Sequence, residues 1–325
     1  MVERIDQTLR CELGVADGLA DKNVYVLDPC CGTGAFIIEV LRRIKRTKQE
    51  QGEDALLGED LKEAARNRVF GFEILSAPFV IAHWQVGTFL SSAEAPLDQT
   101  KGERAGIFLT NSLTGWQPPS EPKASLPLFP DLERERDAAD HVKRDVRILV
   151  VVGNPPYNGF AGVSPKEEEG LVEPYKEGLI KCWGIGKFNL DDLYVRFFRI
   201  AERRIQNTGR GIVSFISNYS YISEPSFVVM RQSPSLDTFD KFWIENMHGD
   251  RNKSEYAPDG RTSETIFAVR GFSPGIRQGV VVAFSGKNWK VGSAQARALS
   301  RRHQCCKGRR PSSRTGRKSR FGAFR

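Results

Sequence analysis

Residues 147–157, Arg147-Ile148-Leu149-Val150-Val151-Val152-Gly153 followed by Asn154-Pro155-Pro156-Tyr157, constrain this chain more than any other stretch. A β-branched run closed by glycine and two prolines reads as a buried strand that stops abruptly. Neither proline can donate to a sheet ladder, each ring holds φ near about −65°, and the residue before each is pushed towards extended geometry. The resulting tip is rigid and rich in acceptors: the Asn154 amide oxygen, the Pro155 carbonyl and, beside them, the aromatic face of Tyr157. Such a tip can receive a planar group that bears an amine. A proline-rich turn after a core strand is the plainer alternative, and neighbouring elements must decide between them.

Those elements alternate. Val2, Ile5, Leu9 and Leu13 fall at spacings of three and four, which predicts a short amphipathic helix ending near Gly14. A strand is expected at 24–27, a tight glycine loop at 28–34 and a helix at 35–46 with Phe36, Ile37, Val40, Leu41 and Ile44 inward. A charged loop at 50–60 and a short helix at 61–67 lead to a second strand at 68–74, a helix at 76–90, a loop at 91–105 and a third strand at 106–110. Residues 111–145 are rich in Pro, Ser, Glu and Arg without clear periodicity and are expected to form a mobile, lid-like insertion. After the fourth strand come a core helix at 190–205, a strand at 211–216 and weaker strands at 239–245 and 265–269. Alternation of this kind predicts an α/β fold with a doubly wound, mostly parallel sheet, whose ligands sit outside the carboxyl ends of strands where strand order reverses. The first and fourth strands normally flank that point. They end here in the glycine loop and in Asn154-Pro155-Pro156-Tyr157, so two independent signals converge on one crevice.

A net charge of +8 suggests a nucleic-acid or membrane partner until its distribution is considered. Residues 291–325 hold eleven Lys or Arg and no Asp or Glu, which leaves 37 basic and 40 acidic residues, a net of −3, for 1–290. The body is mildly acidic and the basic charge belongs to a tail that is expected to be disordered. Nowhere do eighteen apolar residues follow one another, and no long apolar run follows a basic segment at the start, so neither membrane span nor signal peptide is expected, and a cytoplasmic protein is. Cys11, Cys30, Cys31, Cys182, Cys305 and Cys306 form no Cys-x-x-Cys, and four histidines are few for a zinc site, which points to free thiols and no metal.

Asp28-Pro29-Cys30-Cys31-Gly32-Thr33-Gly34 resembles a nucleotide-binding loop, but it lacks the phosphate-loop pattern, and Ile37 stands where a dinucleotide fingerprint has its third glycine. Phosphate is therefore a poor ligand for it. Gly32 and Gly34 let the backbone approach a bulky ligand, and Asp28 can accept from an ammonium, although Gly-Thr-Gly after a strand also serves as a simple turn. Glu73 ends the second strand, where an acid can accept both hydroxyls of a ribose or merely be solvated. Asn111, just past the third strand, can bond an adenine edge or make a turn.

Asp28-Pro29-Cys30-Cys31-Gly32-Thr33-Gly34-Ala35-Phe36, Gly71-Phe72-Glu73 and Asn154-Pro155-Pro156-Tyr157 together resemble amino-methyltransferases that use S-adenosylmethionine, most of all the N6-adenine DNA methyltransferases. Lys187-Phe188-Asn189-Leu190-Asp191-Asp192-Leu193-Tyr194 and Gly211-Ile212-Val213-Ser214-Phe215-Ile216-Ser217-Asn218 widen the resemblance to the methylase region of large single-chain restriction–modification enzymes, over about residues 5–290. The resemblance implies a Rossmann-like class I methyltransferase domain at 1–290. Within it, Asp28, Pro29, Gly32 and Gly34 hold the methionine part of the cofactor, Glu73 its ribose and Asn111 its adenine. Asn154, Pro155, Pro156 and Tyr157 would act on an adenine flipped out of double-stranded DNA, with Tyr157 and Phe227 stacking on the base; a core role is the alternative for Phe227. It also implies nuclease or helicase and target-recognition regions that these residues do not include, so the chain is expected to be truncated. Its tail is then either a non-homologous end or a basic DNA-binding arm. Methylation of another planar amine, such as a protein glutamine or an RNA guanine, and a catalytically incomplete remnant stay open as alternatives.

Overall fold

The short apolar runs pair into one seven-stranded sheet of order β3-β2-β1-β4-β5-β7-β6. In chain order the elements are α1 (Val2–Cys11), β1 (Val26–Asp28), α2 (Ala35–Glu50), α3 (Leu57–Asn67), β2 (Val69–Glu73), α4 (Ser76–Ser92), β3 (Ile107–Leu109), α5 (Pro130–Arg144), β4 (Val150–Gly153), α6 (Glu173–Lys176), α7 (Leu179–Trp183), α8 (Leu193–Thr208), β5 (Gly211–Asn218), β6 (Lys241–Asn246) and β7 (Val280–Lys287). The computed structural model describes residues 1–52, 56–116, 130–157, 170–188, 190–232, 238–249, 256, 260 and 280–287. Strands β1 to β5 run parallel. Among the described strands only β7 is reversed, antiparallel to both β5 and β6.

Alternate residues of each strand face opposite layers, as the pleat requires. Val26, Val69, Val150, Val152 and Ile212 bury one face against α1 to α4, through Ile5, Leu41, Leu61, Ala82 and Val86 among others. Leu27, Phe70, Phe72, Val151, Val213 and Phe215 bury the other face against Ala139 and Val142 of α5 and Phe197, Ala201 and Ile205 of α8. The doubly wound sheet is therefore the one the alternation of strands and helices predicts. The free edge at β3 is closed by side chains: Leu109 N donates to Glu135 Oε1 at 2.8 Å, and Ile107 O lies 3.1 Å from His83 Nε2. That occupancy blunts an edge which would otherwise invite another strand. Among the described residues no helix is long and apolar enough to cross a membrane.

Two expectations are corrected and one strand is added. Residues 111–145 are not wholly a lid-like insertion, since Pro130–Arg144 is a helix docked on the sheet with Ala139, Val142 and even Lys143 buried. The charged loop at 50–60 gives way earlier, with α3 starting at Leu57 and acidic Glu59 and Asp60 in its first turn, where the helix dipole favours them. The strand at 280–287, absent from the sequence reading, inserts between β5 and β6. The strand expected at 265–269 and the tail at 291–325 lie outside the described residues.

Candidate active site

β1 and β4 lie side by side, Leu27 against Val151, while β2 lies beyond one and β5 beyond the other. Strand order reverses here, and a crevice opens at the carboxyl ends. A cavity of about 420 Å³ occupies it, lined by Pro29, Cys30, Phe72, Glu73, Ile74, Leu75, Asn111, Ser112, Leu113, Asn154, Pro156, Leu193 and Phe197. Five expected site residues, Pro29, Glu73, Asn111, Asn154 and Pro156, thus share one mostly apolar cavity of the size small-molecule cofactors take.

The glycine loop forms one wall and is held from within. Asp28 is 1% exposed; its Oδ1 accepts from Cys30 N at 3.1 Å, and its Oδ2 has no partner among the described residues. Burial pushes its carboxyl up to about 7; hydrogen bonds from the Cys30 backbone and thiol oppose that shift and the Glu73 charge adds to it. A Cβ on Gly153 would sit 2.9 Å from Asp28 Oδ1 and 3.0 Å from Cys30 Sγ, so only glycine lets β4 pass the loop. Gly34 opens α2 at φ +89°, and a Cβ there would meet Ala82 of α4 at 3.3 Å. Behind the loop, Glu73 accepts three backbone N–H groups: Gly32 at 2.9 Å through Oε2, and Ile74 and Leu75 at 2.8 Å each through Oε1. A carboxylate has about four lone-pair sites, so one remains for a ligand unless the Gly32 bond yields.

The opposite wall is a braced turn. Asn111 Oδ1 accepts from Leu113 N at 2.9 Å, which bends the chain, and the Ser112 hydroxyl donates to the Pro29 carbonyl, tying turn to loop. Trp116 Nε1 donates to Ser112 O at 2.6 Å. Lys143 of α5 donates to Thr110 Oγ1 and Asn111 O, both at 2.8 Å.

The tip beyond β4 is more open. Asn154 and Pro156 are exposed, Pro155 is buried and Tyr157 is half-buried. Tyr157 Oη donates to Asn154 Oδ1 at 2.7 Å. Burial pushes the Tyr157 phenol well up, so it stays a donor at neutral pH. Its ring meets the edge of Tyr194 at 6.4 Å, and Tyr194 in turn stacks on Phe227 at 6.3 Å. Phe227 is 2% exposed, one ring removed from Tyr157 and not among the cavity's lining residues. Asp28, Gly32 and Gly34 stand behind the lining rather than in it. Reading the 190–205 stripe only as core missed Leu193 and Phe197, which are buried and also line the cavity. Ile74 and Leu75 carried a usable signal, two large apolar residues immediately after the strand-end acid, and both are more than half exposed.

No family model matches the chain. It is 27% identical over 222 residues to the adenine-specific methyltransferase PglX of Streptomyces coelicolor, a match that covers 62% of this chain and 17% of that protein. Among solved structures it superposes on the ATP-dependent Type ISP restriction–modification enzyme LlaBIII bound to DNA, with a TM-score of 0.68, 24% identity and coverage of 89% of this chain and 18% of that one. The DrdV–DNA complex gives a TM-score of 0.66 at 24% identity, with 88% of this chain and 25% of that one covered. The chain shares with these two structures a doubly wound, mostly parallel α/β fold. It spans a quarter or less of the length of each of these relatives.

Proposed function

We propose that this chain is the methyltransferase domain, residues 1–290, of an S-adenosylmethionine-dependent N6-adenine DNA methyltransferase of a cytoplasmic restriction–modification system. The observation that carries the reading is the placement of Asn154 and Pro156 in one cavity with Pro29, Glu73 and Asn111. The names of PglX as an adenine-specific methyltransferase and of LlaBIII and DrdV as DNA-bound enzymes support it. Target recognition and any nuclease or helicase step belong, in this reading, to polypeptide of the kind that makes up the rest of those longer relatives.

The residues present suit the cofactor. The apolar cavity would accept its nucleoside, with Glu73 offering a lone pair to the ribose and Asn111 an edge to the adenine, while the partnerless Asp28 Oδ2, behind the Pro29–Cys30 lining with Gly32 and Gly34, would accept from its ammonium. When bound, S-adenosylmethionine supplies an electrophilic methyl group. The chain's own part is to hold the base. Flipping an adenine out of the duplex costs about a few kcal/mol, and stacking on Tyr157, at about 1–3 kcal/mol per base, offsets much of it. The second lone pair of Asn154 Oδ1 and the Pro155 carbonyl accept from the 6-amino group. Both draw its lone pair out of ring conjugation and set negative dipole ends where positive charge develops. Phe227 acts through Tyr194, as the backing of the stacking platform.

Nucleoside mass spectrometry of DNA treated with the purified chain and S-adenosylmethionine tests this. N6-methyladenine is the expected product. Methylcytosine, or methyl groups found only on added protein or RNA, would overturn the adenine assignment, and cofactor binding with no transfer to any of them would mark a catalytically incomplete domain.

A further inference from the structure

Lys143 is a buried cation that the chemistry above does not use. It is 1% exposed, and its ammonium is met by two neutral oxygens, Thr110 Oγ1 and Asn111 O, each at 2.8 Å. Its remaining side faces the Phe72 ring, 5.3 Å from the centroid. Asp140, three residues earlier on α5, pairs with Arg144 at 2.9 Å, and Arg204 of α8 donates to the Lys143 carbonyl at 2.9 Å, so the lysine is clamped at both ends. Phe72 and Asn111 both line the cavity. One ammonium therefore braces two of its walls from behind, the ring of one and the backbone of the other.

The geometry points to Lys143 as a positioning residue whose charged form fixes the Thr110–Asn111 turn and the Phe72 ring, and so sets the affinity for S-adenosylmethionine without touching it. This rests on the reading of the cavity given above. A charged donor is roughly twice as strong as a neutral one, so loss of the proton slackens both bonds to the turn. Burial pushes the ammonium down to about 8; Asp140 opposes that shift and Arg144 reinforces it. A lysine with a lowered folded value binds fewer protons folded than unfolded between about 8 and its ordinary 10.5, so the fold gains stability as pH rises through that window. Cofactor affinity moves the opposite way, falling as the ammonium is lost. A residue that merely supported the fold would carry affinity and stability together.

Calorimetric titration of the full chain with S-adenosylmethionine at pH 7 and pH 9 decides it, with thermal unfolding followed in the same buffers. Lys143→Met is expected to weaken binding roughly tenfold at pH 7, and the wild-type advantage to shrink at pH 9. Lys143→Arg, charged at both values, is expected to hold its ratio to Lys143→Met unchanged. Groups on the cofactor titrate alike in every variant, so the ratios isolate Lys143. Equal affinity of Lys143→Met, or a wild-type advantage unaltered between the two pH values, overturns the proposal. Should Lys143→Met fail to fold, Thr110→Val removes one acceptor alone and is expected to weaken binding about threefold; no change there is equally fatal. Absence of any heat with folded wild-type protein would instead overturn the cofactor reading itself, and this inference with it.

Discussion

The Asp28–Gly34 loop and the Asn154–Tyr157 tip end neighbouring strands and face one cavity, yet they are built in opposite ways. In the loop, Cys30, Cys31, Gly32 and Gly34 donate their N–H groups to Asp28 Oδ1, Phe72 O, Glu73 Oε2 and Cys31 O, and a carboxylate is buried with one oxygen unpartnered among the described residues. In the tip, two prolines remove donors, Asn154 is exposed, and among the described residues one side-chain bond, from Tyr157, orients its amide. The difference teaches which wall is set by the protein and which is finished by its ligand. A loop that has already met its ordering cost can bind a small cofactor with little further loss. An exposed acceptor tip gains its full value only when a base covers it and excludes water.

The sharpest way to break the comparison is Asn154→Ala. An exposed side chain with a bond to its neighbour Tyr157 contributes little to the fold, so unfolding should shift by no more than about 0.5 kcal/mol. Turnover should fall by roughly 10²–10³-fold, the loss seen when one preorganised group at a site of developing charge is removed. Single-turnover methylation beside calorimetry with S-adenosylmethionine reads both quantities. A parallel loss of cofactor affinity would mean that the two walls are not separate devices.

Asp28→Asn probes the other wall and has the opposite sign for stability. The Asp28 carboxyl titrates near 7 in the fold against an ordinary 3.8. Between those values the folded state holds the proton more tightly than the unfolded one, so stability drains away as pH rises from about 4 to 7 and stays lower above that. The asparagine keeps Oδ1 for Cys30 N and carries no charge to bury. It should therefore stabilise the unliganded chain by on the order of 2 kcal/mol at pH 8, with the gain vanishing towards pH 4, while weakening affinity for a cofactor bearing an ammonium. Urea unfolding across that range checks the first part. A variant no more stable at pH 8 would mean that the buried oxygen is not strained.

What could be read from residues alone follows the same division. The strands β1, β2, β3, β4 and β5, the glycine loop and the tip were legible because each combines a short apolar run with punctuation by Gly, Pro or an acid, a signal confined to a few neighbours. Helix α5 was not. Its buried face is made of Ala139, Val142 and the charged Asp140 and Lys143, so the residue that anchors it at the site counts as solvent-facing in any hydrophobic pattern. Strand β7 escaped for a different reason: Val280-Val281-Val282-Ala283 is plainly apolar, but its partner is β5, more than sixty residues earlier, and sequence order says nothing of that pairing. Phe227 illustrates a third limit. An aromatic after Glu224-Pro225-Ser226 fits both a stacking role and a core role, and only the positions of Tyr157 and Tyr194 place it one ring back from the tip.

The smallest expected effect is also the most discriminating. Tyr157→Phe keeps the ring and its edge contact with Tyr194 at 6.4 Å but removes the hydroxyl that donates to Asn154 Oδ1 at 2.7 Å. If the tip owes its orientation to that bond, methylation should slow about fivefold, the equivalent of one hydrogen bond near 1 kcal/mol, with unfolding, cofactor affinity and base stacking unchanged. An unaltered rate would show that the incoming amine orients the Asn154 amide by itself, making the tip still more dependent on its ligand than the structure suggests. A drop in cofactor affinity would point the other way, to a tip wired into the loop through Cys30, whose thiol lies against both the Asp28 carboxyl and the Asn154 backbone.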